Sequence, residues 1–115
     1  MTIIEFIKKK NCIVKYSAIG HADYSEHGTD IVCASISSIL QFPLAGITEL
    51  LNIVPVFHIG DGDFEIDLRD VNLQNRDHEV NILLNTMFIM LKELENEYPK
   101  YLKLVEKEAK WCYLL

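Results

Sequence analysis

Cysteine is scarce in this 115-residue chain, and the three present, Cys12, Cys33 and Cys112, form no C-x-x-C pair. An odd, dispersed set of thiols is not a disulfide framework and predicts a reduced, cytoplasmic protein. Positive charge is also scarce, because 11 Lys and Arg stand against 17 Asp and Glu and give a net charge of −6. This balance argues against nucleic acid as the main partner and favours a basic peptide or protein.

Long apolar runs are also few, and we expect no membrane span, because the apolar stretches are interrupted short of the roughly 20 residues that cross a bilayer. At the N-terminus an apolar stretch precedes Lys8-Lys9-Lys10, which is the reverse of a secretory signal. The chain does have enough apolar residues to form a hydrophobic core. Half of its residues are apolar and 24% are charged, which predicts one compact domain over residues 1–115.

Hydrophobic periodicity predicts strands over residues 2–8 and 12–19, a polar loop over 20–29, a long helix from Asp30, a hairpin over 54–59 and 64–68, a helix over 75–97 and a last strand over 101–105. We expect Pro43 to bend or split the first helix near Gln41 or Phe42. The order β-β-loop-α-β-β-α-β predicts an α+β fold with two helices on a largely antiparallel sheet. The broadly apolar second helix predicts a homodimer that buries Phe88 and its neighbours.

Cys33 is the first candidate for chemistry, because it lies about three residues inside the helix that begins near Asp30. The unpaired N–H groups and the positive dipole end of a helix favour a thiolate. His21 and His27 precede it in the polar loop, and either could accept the thiol proton; His21 is the better base because it directly follows a strand. The alternatives are a buried structural cysteine and ordinary loop histidines.

Other interpretations of the polar residues are weaker. His21, His27 and Cys33 match no common metal-ligand spacing, so neither a metal nor another cofactor is expected. Ser37 lies one turn after Cys33 and could form a hydrogen bond near the site. Five acidic residues of the second hairpin are interpreted as a solvated edge, with a lesser possibility that they attract a basic substrate: Asp61, Asp63, Glu65, Asp67 and Asp70. The loop over 22–29 has almost nothing to anchor it, and we expect it to be mobile without substrate.

Two stretches give the chain a family resemblance. Gly20-His21-Ala22-Asp23-Tyr24 and the segment from Gly28 to Ser37, Gly-Thr-Asp-Ile-Val-Cys-Ala-Ser-Ile-Ser, resemble the signature of the ribosomal-processing cysteine protease (Prp) family. Tyr98-Pro99-Lys100-Tyr101 before the last strand extends the resemblance over nearly the whole chain.

The resemblance implies a bacterial endopeptidase with Cys33 as nucleophile and His21 as base. Asp30 and Ser37, with Gly20 and Gly28, match supporting positions of the motif. The implied substrate is the N-terminal extension of the large-subunit ribosomal protein numbered twenty-seven, cut after Phe-Phe and before Ala, and the implied enzyme is a homodimer with a loop that reorganises for substrate. Backbone N–H groups at the helix start, that of Cys33 among them, are candidates for binding the oxyanion. The alternative function is a non-catalytic ribosome-assembly or peptide-binding module.

Overall fold

The computed structural model describes residues 1–26 and 28–109. The elements occur in the predicted order, and their bounds are β1 (Thr2–Lys9), β2 (Cys12–Ile19), α1 (Ile31–Ala45), β3 (Val56–Gly60), β4 (Asp63–Asp67), α2 (Asp77–Glu97) and β5 (Leu102–Glu108). The α+β class with two helices and five strands is therefore confirmed, and the predicted strand ends differ from the observed ends by a few residues.

The five strands form one sheet in the order β3-β4-β2-β1-β5. Neighbouring strands are antiparallel except β1 and β5, which are parallel because α2 carries the chain across between β4 and β5. The tight turn between β1 and β2 is made by Lys10 and Asn11, both with positive φ. The sheet order places the end of β2 beside the turn between β3 and β4, where the candidate site lies.

The core lies between the two helices and one face of the sheet. Buried strand residues include Ile4, Phe6, Tyr16, Phe64 and Ile66, and buried helix residues include Val32, Ile36, Leu40, Val80, Leu84, Met87 and Leu91. Tyr16 is the largest fully buried side chain; its hydroxyl donates to the Leu40 carbonyl at 2.7 Å, and burial raises its pKa well above the usual range. This packing fixes α1 against β2. Cys33 lies on α1 and His21 follows the end of β2, so the packing also fixes the two candidate catalytic residues relative to each other.

Side-chain packing on β2 and α2 adds two details to the predicted elements. Strict alternation along β2 would place Val14, Tyr16 and Ala18 on one face, but a β-bulge at Val14 shifts the register, and Ile13 is buried instead. Phe88, expected at a dimer interface, is half-buried within the chain and packs edge-to-face on Phe6 with ring centroids 5.0 Å apart, and the dimer stays a prediction.

The first helix continues through Pro43, so it is not split near Gln41 or Phe42. Pro43 is buried, and only after it does the helix widen into a π-helical turn over Gly46–Leu50. Residues 31–50 together are long and apolar enough to cross a membrane by length and composition, with a mean hydropathy of 1.7. This segment is therefore longer than the apolar stretches expected from the sequence, although its Val32, Ile36 and Leu40 side chains pack in the core.

Candidate active site

The structure brings Cys33 and His21 together. Cys33 lies in the first turn of α1, half-buried, and His21 follows directly after β2 and Gly20. The Cys33 Sγ and His21 Nδ1 atoms are 4.0 Å apart. A thiol at a helix N-terminus next to an imidazole nitrogen can pass its proton to the ring and become a nucleophile.

Gly20 determines where His21 emerges from the sheet. Its φ of +95° belongs to the left-handed region, and its N–H donates to the Gly62 carbonyl at 2.9 Å. A Cβ atom at this position would lie 2.6 Å from the Met1 carbonyl oxygen. Only glycine combines this turn with so close an approach of two backbones, so Gly20 has a positioning role in the structure.

Asp30 links the loop to the start of α1. It is the N-cap, and its Oδ1 accepts a hydrogen bond from the Cys33 N–H at 2.9 Å. Its Oδ2 accepts from the N–H groups of Tyr24 and Ser25 at 2.9 and 3.3 Å. Burial alone would raise the pKa of Asp30, but the backbone donors, Cys33 first among them, outweigh burial and hold the pKa below its usual value.

The Cys33 N–H is therefore already occupied, which changes the prediction for the oxyanion site. The Ala34 N–H is also engaged, donating to the Asp30 carbonyl at 3.0 Å. A substrate oxyanion could use the Cys33 amide only by displacing the Asp30 carboxylate. The first turn of α1 is thus organised around Asp30 in this conformation.

The loop before α1 has anchors that the sequence did not indicate. Ala22 is buried, and the Tyr24 ring packs edge-to-face on Tyr98 and Tyr101 with centroids 5.6 and 5.1 Å apart. The Met1 amino group lies 3.4 Å from Asp23. The expectation that this loop lacks anchors is therefore wrong for the described part of it.

Two adjoining clefts meet at the Cys33–His21 pair. The first has a volume of about 380 Å³ and is bordered by the loop and the start of α1, with Asp23, Ser25, Gly28 and Asp30 among its lining residues. The second, of about 190 Å³, is bordered by Ile36, Leu40, Ile59 and Phe64 together with the β3–β4 turn. Cys33, His21 and Ser37 line both clefts, so an extended chain could pass the thiol with residues on either side.

Of the remaining predicted residues, Gly28 has a φ of +92° and no atom near its missing Cβ, so it serves the loop conformation alone. Cys12 lies away from the site and accepts a hydrogen bond from Asn81 Nδ2 at 3.3 Å. His27 and Cys112 lie outside the described residues. Within residues 1–26 and 28–109, no group of three or more His, Cys, Asp or Glu side chains is arranged to hold a metal ion.

Asp61 is the residue at the site that sequence reasoning missed. It was grouped with the solvated edge of the hairpin, but its Oδ1 lies 3.6 Å from His21 Nε2. No local pattern distinguishes it from Asp63 two residues later. Only the pairing of β4 with β2, which brings the β3–β4 turn to the end of β2, could have indicated the contact.

The fold and this thiol–imidazole pair are those of a small cysteine peptidase. A family model described as "Cysteine protease Prp" matches residues 1–103. The chain therefore belongs to the Prp family of cysteine proteases.

Similar proteins come from Staphylococcus aureus and Bacillus subtilis. The ribosomal processing cysteine protease Prp of Staphylococcus aureus is 34% identical over 85 residues, which cover 74% of this chain and 78% of the relative. The protein of the same name from Bacillus subtilis is 25% identical over 93 residues, covering 79% and 83%. These relatives favour the peptidase over the non-catalytic module that the sequence had left open.

Solved structures of similar proteins have the same fold as this chain. The Staphylococcus aureus protease in complex with a covalently linked product peptide superposes with a TM-score of 0.82 at 29% identity, covering 93% of this chain and all of the other. The same protease in complex with a substrate peptide gives a TM-score of 0.77 with the same identity and coverage. A Streptococcus mutans protein at 23% identity and a TM-score of 0.80, covering 95% of this chain and 96% of the other, shares the fold.

Proposed function

We propose that this protein removes the N-terminal extension of a ribosomal protein precursor, the large-subunit protein numbered twenty-seven, by cutting after Phe-Phe and before Ala. The observation that carries the proposal is the Cys33–His21 pair at the meeting point of two clefts, with 4.0 Å between Sγ and Nδ1. The ribosomal-processing name of the relatives and the peptide complexes of the Staphylococcus aureus protease support it.

In this proposal the reaction is acyl transfer. His21 Nδ1 takes the thiol proton, the Cys33 sulfur attacks the scissile carbonyl carbon, and a tetrahedral intermediate forms. The imidazolium then returns its proton to the departing amine as the C–N bond breaks, leaving a thioester on Cys33. His21 next deprotonates a water molecule, which hydrolyses the thioester and restores the thiol.

Ser37 offers a hydroxyl for the oxyanion. Ser37 is exposed, lies one turn after Cys33 and lines both clefts. Because the Cys33 and Ala34 amides are engaged with Asp30, we assign the Ser37 hydroxyl as a donor to the developing negative charge. Losing one such donor lowers the catalytic rate, by about 100-fold or more in strongly preorganised sites.

The aromatic residues of the cleavage sequence suit the second cleft. Its apolar wall is formed by Ala18, Ile36, Leu40, Ile59 and Phe64. An aromatic side chain bound there buries apolar surface and places the following peptide bond near the thiol. The second cleft thus provides the specificity in this proposal.

Cleavage of a synthetic extension peptide, followed by mass spectrometry, tests the function. We expect cleavage between Phe and Ala by the wild type and none by Cys33→Ala, whereas Cys12→Ala, with its thiol remote from the clefts, keeps wild-type activity. His21→Ala should lose most activity and His27→Ala much less. Cleavage by Cys33→Ala at the wild-type rate, or at another bond, contradicts the proposal.

The proposed setting follows from the substrate. A ribosomal protein precursor is met in the cytoplasm, and the enzyme would act on its peptide extension without binding nucleic acid or a membrane. We also propose a homodimer. α2 leaves Ile82, Ile89 and Met90 exposed, but a larger exposed apolar group, the β3 patch, surrounds the edge strand: Leu50, Val54, Val56, Phe57 and Ile59.

A further inference from the structure

The β3–β4 turn lies against the side of the His21 ring that faces away from Cys33. Nδ1 of the ring is 4.0 Å from the Cys33 sulfur, and Nε2 is 3.6 Å from Asp61 Oδ1. The two ring nitrogens therefore face two different groups, a thiol and a carboxylate. This is the arrangement in which a carboxylate can determine the orientation and the tautomer of a catalytic imidazole.

The turn is held in place by the backbone. Gly20 N–H donates to the Gly62 carbonyl at 2.9 Å, and Ile19 is the β-ladder partner of Asp63. A Cβ atom on Gly62 would lie 2.8 Å from His21 Nε2, so the ring packs directly on the turn backbone. Although the Asp61 side chain is exposed, the chain on both sides of it is fixed relative to His21.

Other carboxylates near the ring have different partners. Across the first cleft, Asp30 accepts the amides at the start of α1, and Asp23 lies against the N-terminal amino group. In the same turn, Asp63 lies 3.1 Å from His58 Nε2. Two carboxylates of the hairpin thus contact two different histidines, Asp61 contacting His21 after β2 and Asp63 contacting His58 on β3.

We propose that Asp61 is a positioning residue for His21. With the Nε2 proton directed to the Asp61 carboxylate, the lone pair on Nδ1 faces Cys33 and can accept the thiol proton. The imidazolium so formed keeps its Nε2 proton toward Asp61, whose negative charge stabilises the thiolate–imidazolium pair. Asp61 gains and loses no proton in this step. The inference rests on the proposed role of His21, but its structural part can be tested without any substrate.

The direct test is NMR spectroscopy of the histidine ring nitrogens in the wild type, Asp61→Asn and Asp63→Asn, because the chemical shifts of Nδ1 and Nε2 report which nitrogen carries the proton. We expect Asp61→Asn to lower the share of the Nε2-protonated tautomer of His21 and to leave the ring-nitrogen shifts of His58 unchanged. Asp63→Asn should do the opposite, changing the shifts of His58 and leaving those of His21. Each variant is the matched control for the other, since both remove one negative charge from the same exposed turn.

Peptide cleavage provides the second readout. Asp61→Asn should lower kcat/KM roughly 2- to 5-fold, whereas Asp61→Glu, which keeps the charge, should retain most activity. Unchanged ring-nitrogen shifts of His21 in Asp61→Asn, or an equal change of these shifts in Asp63→Asn, overturn the proposal. Absence of cleavage by the wild type with the expected NMR shifts would instead overturn the proposed function and leave the pairing standing.

Discussion

Asp30 shows at the scale of a single residue why the position of Cys33 alone does not define a site. One oxygen of its carboxylate accepts the Cys33 amide, and the other accepts two amides of the loop that carries His21. The sequence predicted that the helix begins at Asp30, because Asp before an apolar periodic run is a start signal. The second set of hydrogen bonds depends on the path of the loop, which no local pattern encodes.

Removing the Asp30 cap should destabilise the fold. We expect Asp30→Ala to lower the free energy of unfolding by about 1–2 kcal/mol, because the Cys33 amide loses its acceptor. Urea unfolding followed by circular dichroism measures this value. Asp23→Ala, which removes an exposed carboxylate from the same loop, serves as the control and should change stability much less. Equal losses in the two variants would contradict the capping role.

The charge of Asp30 should appear in the pH dependence of stability. Because the folded-state pKa lies below the ordinary value of 3.8, the ionised form favours the folded state. That contribution is complete at pH values above 3.8 and is lost as the pH falls through the folded-state pKa. Asp30→Asn, which keeps an oxygen acceptor, should therefore lose less stability than the wild type between pH 5 and pH 2. An identical dependence of the free energy of unfolding on pH in both proteins would contradict the lowered pKa of Asp30.

At the scale of elements, the predictions succeeded for features that local periodicity determines. They failed for features that depend on contacts between residues far apart in the sequence. Strand β2 was predicted with its observed bounds, yet its bulge at Val14 depends on the pairing with β1. Pro43 ordinarily ends a helix, but burial of Pro43 and the packing of α1 on the sheet outweigh the loss of one hydrogen bond. The loop was expected to lack anchors because its partners, Tyr98 and Tyr101, lie some 75 residues away.

The tyrosine contacts should control the opening of the loop. Tyr24→Ala removes two edge-to-face ring pairs, and we expect amide exchange over residues 22–26 to become about tenfold faster or more. Tyr24→Phe keeps the rings in contact and should exchange like the wild type. Hydrogen exchange with mass spectrometry on both variants measures the difference. Fast exchange in the wild type would show that the contacts do not hold the loop, in agreement with the mobility first expected.

At the scale of the whole molecule, the two faces of the sheet differ in kind. One face is covered by α1 and α2, and the other carries cross-strand charge pairs such as Lys15 with Glu65 and Lys107 with Glu5, both at 3.0 Å. The α+β class followed from the sequence because two amphipathic helices and alternating strands admit few layered arrangements. The location of exposed apolar surface did not follow, because the exposure of β3 depends on its place at the sheet edge.

One charge substitution tests whether the β3 patch forms the interface of the proposed homodimer. Val56 is 64% exposed on an edge strand whose five residues are all exposed, and a second copy could pair with this strand about a two-fold axis. We expect the wild type to have twice the chain mass of 13.3 kDa in light scattering, and Val56→Lys to have the mass of one chain. Ile89→Lys, on the exposed side of α2, is the matched control and should remain dimeric. A monomeric wild type would contradict the dimer, and dissociation by Ile89→Lys alone would place the interface on α2.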